Sequence, residues 1–213
     1  LADSATIFHR FSFVIGVLSI CLCIFSIITI APSIIAPIAM AIPPSDMILA
    51  LHSDASYLSE PNEKSRTAGH LYLGRHNDEN FNNGMILTLS KVIKHVMTSA
   101  SEAETAALFY NCKAGIPLRV ALEEMGHPQF KTPTTTDNTT AQGLNTKTMI
   151  PKAVKSYDMR FNWLKCRRAQ NQFNFIWRNG KDNRADYQSK RHTVKHYINK
   201  RHDYVVDMPL PKQ

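Results

Sequence analysis

Hydrophobic positions along the chain change period twice. Residues 11–31, FSFVIGVLSICLCIFSIITIA, carry no charge, and the apolar character runs on through prolines 32, 37, 43 and 44. At about 1.5 Å per residue, twenty-one such residues are long enough to cross a bilayer. The alternatives are a buried core helix or a non-native leader. From Asp46 onward the apolar runs shorten, and polar positions separate them.

Residues 47–53 read as a strand, 58–67 as a polar turn and 69–75 as a second strand with Leu71 and Leu73 alternating. The Asn-Gly at 83–84 marks a turn, after which 85–89 and 92–97 continue the sheet, giving an antiparallel meander. A helical pattern follows over 99–116. Ser99 and Glu102 have capping-box spacing, and Ala103, Ala106, Ala107 and Leu108 form a small-residue face. Pro117 should end this helix, 118–125 should form another, and Gly126 should stop it. Residues 130–136 read as a Thr-rich strand, 138–144 as a short helix, 152–169 as a long helix opened by Pro151, 172–178 as a strand and 182–199 as a terminal helix. The expected division is an apolar leader at 1–44, a folded domain at 45–202 and a tail at 203–213.

Charge adds a partner. The formal net charge is +8, yet residues 1–50 carry only Arg10 against Asp3 and Asp46, so the rest of the chain carries +9. Between Lys147 and His202 fifteen Lys or Arg face three acids, with aromatics interleaved. That density favours a polyanion, nucleic acid before membrane. The four cysteines, Cys21, Cys23, Cys112 and Cys166, show no zinc spacing and read as reduced, mostly buried thiols. His192 and His196 are four apart and His202 follows, but no cysteine or acid completes a tetrahedral set, so zinc is not expected. A first residue of Leu rather than Met suggests a piece of something longer.

Acids stand at four junctions of this pattern. Asp54 follows an apolar strand, Glu104 lies in the first turns of a helix, Asp137 ends the Thr-rich strand, and Asp186 lies in the terminal helix. Carboxylates brought together from such places resist ionising unless divalent cations sit between them. Hard oxygen ligands point to Mg2+ or Mn2+, and two such ions can hydrolyse a phosphodiester. Singly, each acid also reads as a cap or turn residue.

The segments LHSDASYLSEP (51–61), TSASEAETAAL (98–108), TTTDNTTA (134–141), KSYDMRFNWLK (155–165) and NRADYQSK (183–190) together resemble the RNase H domain at the C-terminal end of copia-type retrotransposon Pol polyproteins. The resemblance spans about 46–202. It implies an α/β RNase H-like fold: a mixed five-stranded sheet, three strands antiparallel and then parallel ones, flanked by helices. It also implies Asp54, Glu104, Asp137 and Asp186 as catalytic, metal-binding acids holding two Mg2+ or Mn2+ ions, and cleavage of the RNA strand of RNA–DNA hybrids. Lys152, Lys155, Arg160, Lys165, Arg167, Arg168, Lys190, Arg191 and Lys195 are the expected backbone contacts.

Two departures stand out. Ser56 replaces an acid the family often has, and no polymerase Tyr-x-Asp-Asp occurs. The competing readings are a degenerate copy that binds nucleic acid without turnover and a single-pass membrane protein carrying a relic domain. Residues 11–31 would place the chain in a membrane; otherwise the expected compartment is cytoplasmic or nuclear. The sequon Asn138-Thr139-Thr140 would set a glycan beside Asp137 if this region were translocated.

Overall fold

A computed structural model describes residues 46–76, 78, 85–139, 155–201 and 204, with the side chains of 155–158 excepted. The expected span at 11–31, the turn at 79–84, most of the helix at 138–144, Pro151 and Lys152 lie outside the described residues. Among the described residues no helix is long and apolar enough to cross a membrane.

The core is a five-stranded mixed sheet in the order β3-β2-β1-β4-β5. Its strands are β1 (Met47–Glu60), β2 (Lys64–Arg75), β3 (Met85–Val92), β4 (Thr132–Thr136) and β5 (Phe173–Trp177). The first three pair antiparallel, whereas β4 pairs parallel with both β1 and β5. This is the RNase H-like arrangement expected from the sequence. The helices are α1 (Ala100–Glu124), α2 (Lys155–Ala169), α3 (Asp186–Ser189) and α4 (Val194–Lys200).

Strand alternation sorts β1 into two faces. Leu49 and Leu51 point into a core with Leu71, Leu108, Cys112, Phe161, Leu164, Phe173 and Phe175, which α1 and α2 cover. His52 and Asp54 point to the other face. There the C-terminal segment forms a thinner layer: the Arg184 amide donates to His52 Nδ1 (3.1 Å), the Arg184 guanidinium lies over Tyr72 (5.5 Å), and Tyr204 packs edge-on against His70 (5.6 Å). The site lies where these layers meet the ends of β1 and β4.

Several expected boundaries move. Strand β1 runs seven residues beyond 53, and the polar turn shrinks to Pro61–Glu63, where Asn62 and Glu63 adopt positive φ. Polar residues can extend β1 because β2 pairs with it as far as Ser56–Arg66 and again at Glu60–Lys64. Residues 93–97 form no strand; only Ile93 and Met97 are buried, anchoring a connection to α1. Helix α1 continues through Pro117 as one helix of 25 residues. A proline inside a helix costs about 3 kcal/mol, and tertiary contacts on both sides of it offset that. Gly115 packs against Leu49, Leu71 and Phe173, and Ala121 and Leu122 are buried. Buried Arg119 donates to the carbonyls of Phe130 (2.6 Å) and Gln129 (3.1 Å) and to Thr132 Oγ1 (2.7 Å). The single terminal helix is replaced by a 3-10 turn (Gly180–Asp182), α3 and α4. Cys112 is buried as expected, but Cys166 is exposed.

Candidate metal centre and nucleic-acid cleft

The parallel register builds the first half of the site. Leu51 pairs with Thr134 and His52 with Thr135, so carrying the register two residues further brings Asp54 level with Asp137. Asp54 therefore lies within β1 rather than at its end, opposite the point where β4 stops. Asp137 follows β4, held by the Trp177 indole donating to its carbonyl oxygen (2.8 Å). Gly180 closes against it, and a Cβ there would stand 2.9 Å from Asp137 Oδ2.

Glu104 arrives from the first turns of α1, whose start is fixed by the expected cap. The Glu102 amide donates to Ser99 Oγ (3.1 Å), and Glu102 Oε2 accepts from the Thr98 amide (2.8 Å) and hydroxyl (2.7 Å). Glu102 is thus spent on the helix terminus. Two residues on, Glu104 Oε1 accepts from the Ala55 amide (3.2 Å), while the buried Glu104 Oε2 has no hydrogen-bond partner. Carboxylate oxygens of Asp54, Glu104 and Asp137 lie within 4.8 Å of one another.

Packing acids this closely out of water disfavours their charged forms. Burial, then the charges of Asp54 and Asp137, pushes Glu104 up to about 9. Burial also raises Asp54, to about 6, against the Ser189 hydroxyl and Lys190 ammonium that favour its carboxylate. Asp137 is raised too, chiefly by burial. A carboxylate grouped with two further acids and holding one buried, orphaned oxygen fits a divalent cation, which would satisfy it and reverse these shifts.

Asp186 joins this set through a lysine. Lys190 Nζ stands 2.5 Å from Asp186 Oδ1 and 3.8 Å from Asp54 Oδ2. Burial works against its charge, but Asp186, Asp54 and Asp137 hold the ammonium above its usual range. Asn183 donates to the Ser53 carbonyl (2.9 Å) and approaches Asp54 Oδ1 (3.5 Å), which pins the C-terminal layer to β1. Ser189 donates to Asp54 Oδ2. Among the described residues, then, three of the four expected acids form one cluster and the fourth adjoins it across Lys190.

The expected basic contacts divide. Lys190 is in the acid cluster. Arg160 lies by Met97 Sδ (3.8 Å) and over Tyr110 (5.9 Å), near the start of α1. Lys165 lies over Phe161 (5.6 Å), and Arg167 stacks on Trp163 (4.9 Å) and reaches Gln170 (3.1 Å). Arg167 and Arg168 end α2 just before β5 begins. The opposite end of the parallel pair β4–β5 holds Asp137, roughly 16 Å away at about 3.3 Å per residue. Arg191 and Lys195 are exposed on the C-terminal layer.

A cleft of about 880 Å³ adjoins the acids, and Arg178, Lys181, Arg184, Lys190 and Lys200 line it together with Asp137 and Asp186. Arg178, Lys181, Arg184 and Lys200 were not singled out from sequence. The signal available was their position around the Asn-Gly turn and Asp186, inside the most basic stretch of the chain.

The Pol polyprotein of transposon TNT 1-94 from Nicotiana tabacum is 29% identical over 121 residues, 57% of this chain. That relative is a retrotransposon Pol polyprotein, the class of protein that the sequence resemblance names. The chain spans only 9% of that relative's length. No family model matches. Solved structures that resemble this chain include the N-terminal RNase H domain of rv2228c from Mycobacterium tuberculosis (TM-score 0.45, 10% identity, 67% of this chain and 88% of that one). RNase H1 of Halobacterium salinarum gives a TM-score of 0.46 at 12% identity, over 66% and 92% of the two chains. LC11-RNase H1, solved in complex with an RNA/DNA hybrid, gives 0.47 at 15% identity, also over 66% and 92%.

Proposed function

We propose that residues 45–202 form a ribonuclease H that cleaves the RNA strand of RNA–DNA hybrids by two-metal hydrolysis, with Asp54, Glu104, Asp137 and Asp186 as its metal-binding acids. The observation that carries this reading is the convergence of Asp54, Glu104 and Asp137 from β1, α1 and the end of β4, with Glu104 Oε2 buried and unpartnered. Structural acids of an ordinary core would be paired or capped, as Glu102 is. These are held close together with their ionised forms disfavoured, a state that a cation relieves.

Bound Mg2+ or Mn2+ would supply activation of a water and stabilisation of the leaving oxygen of a phosphodiester. The chain's own residues do the positioning. Asn183 and Ser189 orient Asp54, Gly180 gives Asp137 its room, and the Ala55 amide holds one oxygen of Glu104 while the other has no hydrogen-bond partner. Arg178, Lys181, Arg184 and Lys200 place positive charge beside the acids, where a phosphate backbone would run. Hybrid recognition would rest on phosphates and 2′-hydroxyls rather than base edges.

The test is a hybrid with label on each strand, incubated with the full chain in Mg2+, in Mn2+ and in excess chelator. Fragmentation of the RNA strand alone, abolished by chelator, is the expected result. Cleavage of both strands, or cleavage that survives the chelator, would contradict the assignment.

A further inference from the structure

The two carboxylate oxygens of Asp186 face different neighbours. Oδ1 lies 2.5 Å from Lys190 Nζ, the ammonium that also reaches Asp54, whereas Oδ2 lies 3.5 Å from His192 Nε2. His196 completes the second group: one ligand atom each from Asp186, His192 and His196 lie within 4.8 Å of one another. The His192 and His196 rings stack nearly parallel at 4.0 Å. We propose that Asp186, His192 and His196 form a second cation site, distinct in chemistry from the acid cluster and suited to a borderline transition ion such as Zn2+.

Three features support it. Ligands bound at about 2.0–2.1 Å to a tetrahedral ion stand roughly 3.3 Å apart, close to the Asp186–His192 separation. Two imidazoles and one carboxylate leave one open position, the coordination pattern of an accessible zinc ion, and His196 and Asp186 both line the cleft. The rings are also held from behind. Tyr197 Oη accepts from the His192 amide (3.2 Å) and its ring packs edge-on to His192 (5.7 Å). Thr193 caps α4 and accepts from the His196 amide (3.4 Å), setting His196 on the first turn. Binding would require His192 Nε2 to release the Asp186 carbonyl oxygen, now 3.0 Å away, and one of the two stacked rings to turn so that both in-plane lone pairs converge on the ion.

Ligand type separates the two sites. Imidazole nitrogen suits Zn2+, whereas Mg2+ prefers the all-oxygen set of Asp54, Glu104 and Asp137. Because Asp186 adjoins both, a filled zinc site would draw its carboxylate away from Lys190 and the acid cluster. On the reading proposed above, Zn2+ would then inhibit Mg2+-dependent cleavage.

The test is Zn2+ binding by the full chain without nucleic acid, measured by competition with a chromophoric chelator in excess Mg2+. Wild type should bind one equivalent that His192→Ala/His196→Ala loses, with affinity at least about tenfold weaker in each single variant, the scale on which even outer-shell partners act. Asp54→Asn should bind Zn2+ like wild type. Circular dichroism checks the fold, and His196→Gln replaces His196→Ala if the latter unfolds. Equal Zn2+ binding by wild type and the folded double variant, or loss in Asp54→Asn, would overturn the proposal. Independently, the Zn2+ concentration that halves cleavage should rise about tenfold in the His variants, each measured against its own zinc-free rate. A chain without cleavage would sink the nuclease reading and leave the binding result to decide this one.

Discussion

Lys190 Nζ and Asp186 Oδ1 are 2.5 Å apart, and that ion pair puts a positive charge at the edge of a cluster of carboxylates. Lys190 also reaches Asp54 Oδ2 at 3.8 Å, so one ammonium serves acids from both the sheet and the C-terminal layer. It partly compensates the charge that divalent ions would otherwise neutralise.

Replacing Lys190 by Met should therefore act most in the absence of metal. Lys190 is about half exposed, so the loss of stability should be modest, about 1 kcal/mol. Added Mg2+ should raise the melting temperature of Lys190→Met by more than that of wild type. Thermal melts with and without Mg2+ read this directly, and equal metal-induced shifts would argue against any competition.

Gly180→Ala separates site geometry from stability. The new Cβ would press on Asp137 Oδ2, which can swing aside, so the fold should survive with little change in melting temperature. Displacing a positioned group by about 1 Å can cost about 100-fold in rate. Hybrid cleavage should fall by about that factor, and an unchanged rate would show that Asp137 tolerates displacement.

The raised Glu104 gives the metal-free protein a distinctive pH dependence. Unfolded Glu ionises near its ordinary value, while folded Glu104 keeps its proton up to about 9. The folded state therefore binds the extra proton, and this stability is lost as pH rises towards 9, at up to about 1.4 kcal/mol per pH unit. His52 acts oppositely at lower pH. Burial, with Arg184 nearby, lowers it to about 3, so its contribution is lost as pH falls below about 6.5. From about 7 to 8, above the raised Asp54 and below the range where the unfolded Cys112 thiol ionises, Glu104 dominates the slope. Denaturant midpoints in chelator should decline there for wild type and flatten in Glu104→Gln.

Much of this was legible in the chain. Asp54 closes the apolar run of β1 and Asp137 follows the Thr-rich β4, and Glu104 could be told from Glu102 because Ser99 claims Glu102 for the cap. The length of α1 was not legible, since Pro117 is a stop by local rule and only packing around Gly115, Arg119 and Leu122 overrides it. Nor was the break of the terminal helix, whose helical-looking residues 182–199 hide two turns. For that reason Asp186 is six and ten residues from His192 and His196, a spacing no single helix would suggest. The basic cleft is hidden for a similar reason, because its cations come from the stretch after β5, a 3-10 segment, a turn, the end of α3 and the last residue of α4.

Where nucleic acid lies can be read from charge removal. Lys181→Ala/Lys200→Ala should weaken hybrid binding and reduce the salt slope by roughly two, about one per phosphate contact. Arg167→Ala/Arg168→Ala, at the far end of α2, should change the slope little. Binding measured across a salt series would show the reverse if the hybrid followed α2 instead of the cleft.

The most direct measurement is cleavage of a 5′-labelled RNA strand in an RNA–DNA hybrid by wild type and Asp137→Asn in Mg2+, with hybrid binding measured in parallel. The account predicts metal-dependent RNA fragments from wild type, none from Asp137→Asn, and comparable binding by both. Binding without fragments from wild type in either Mg2+ or Mn2+ would contradict it and leave a nucleic-acid-binding fold without turnover.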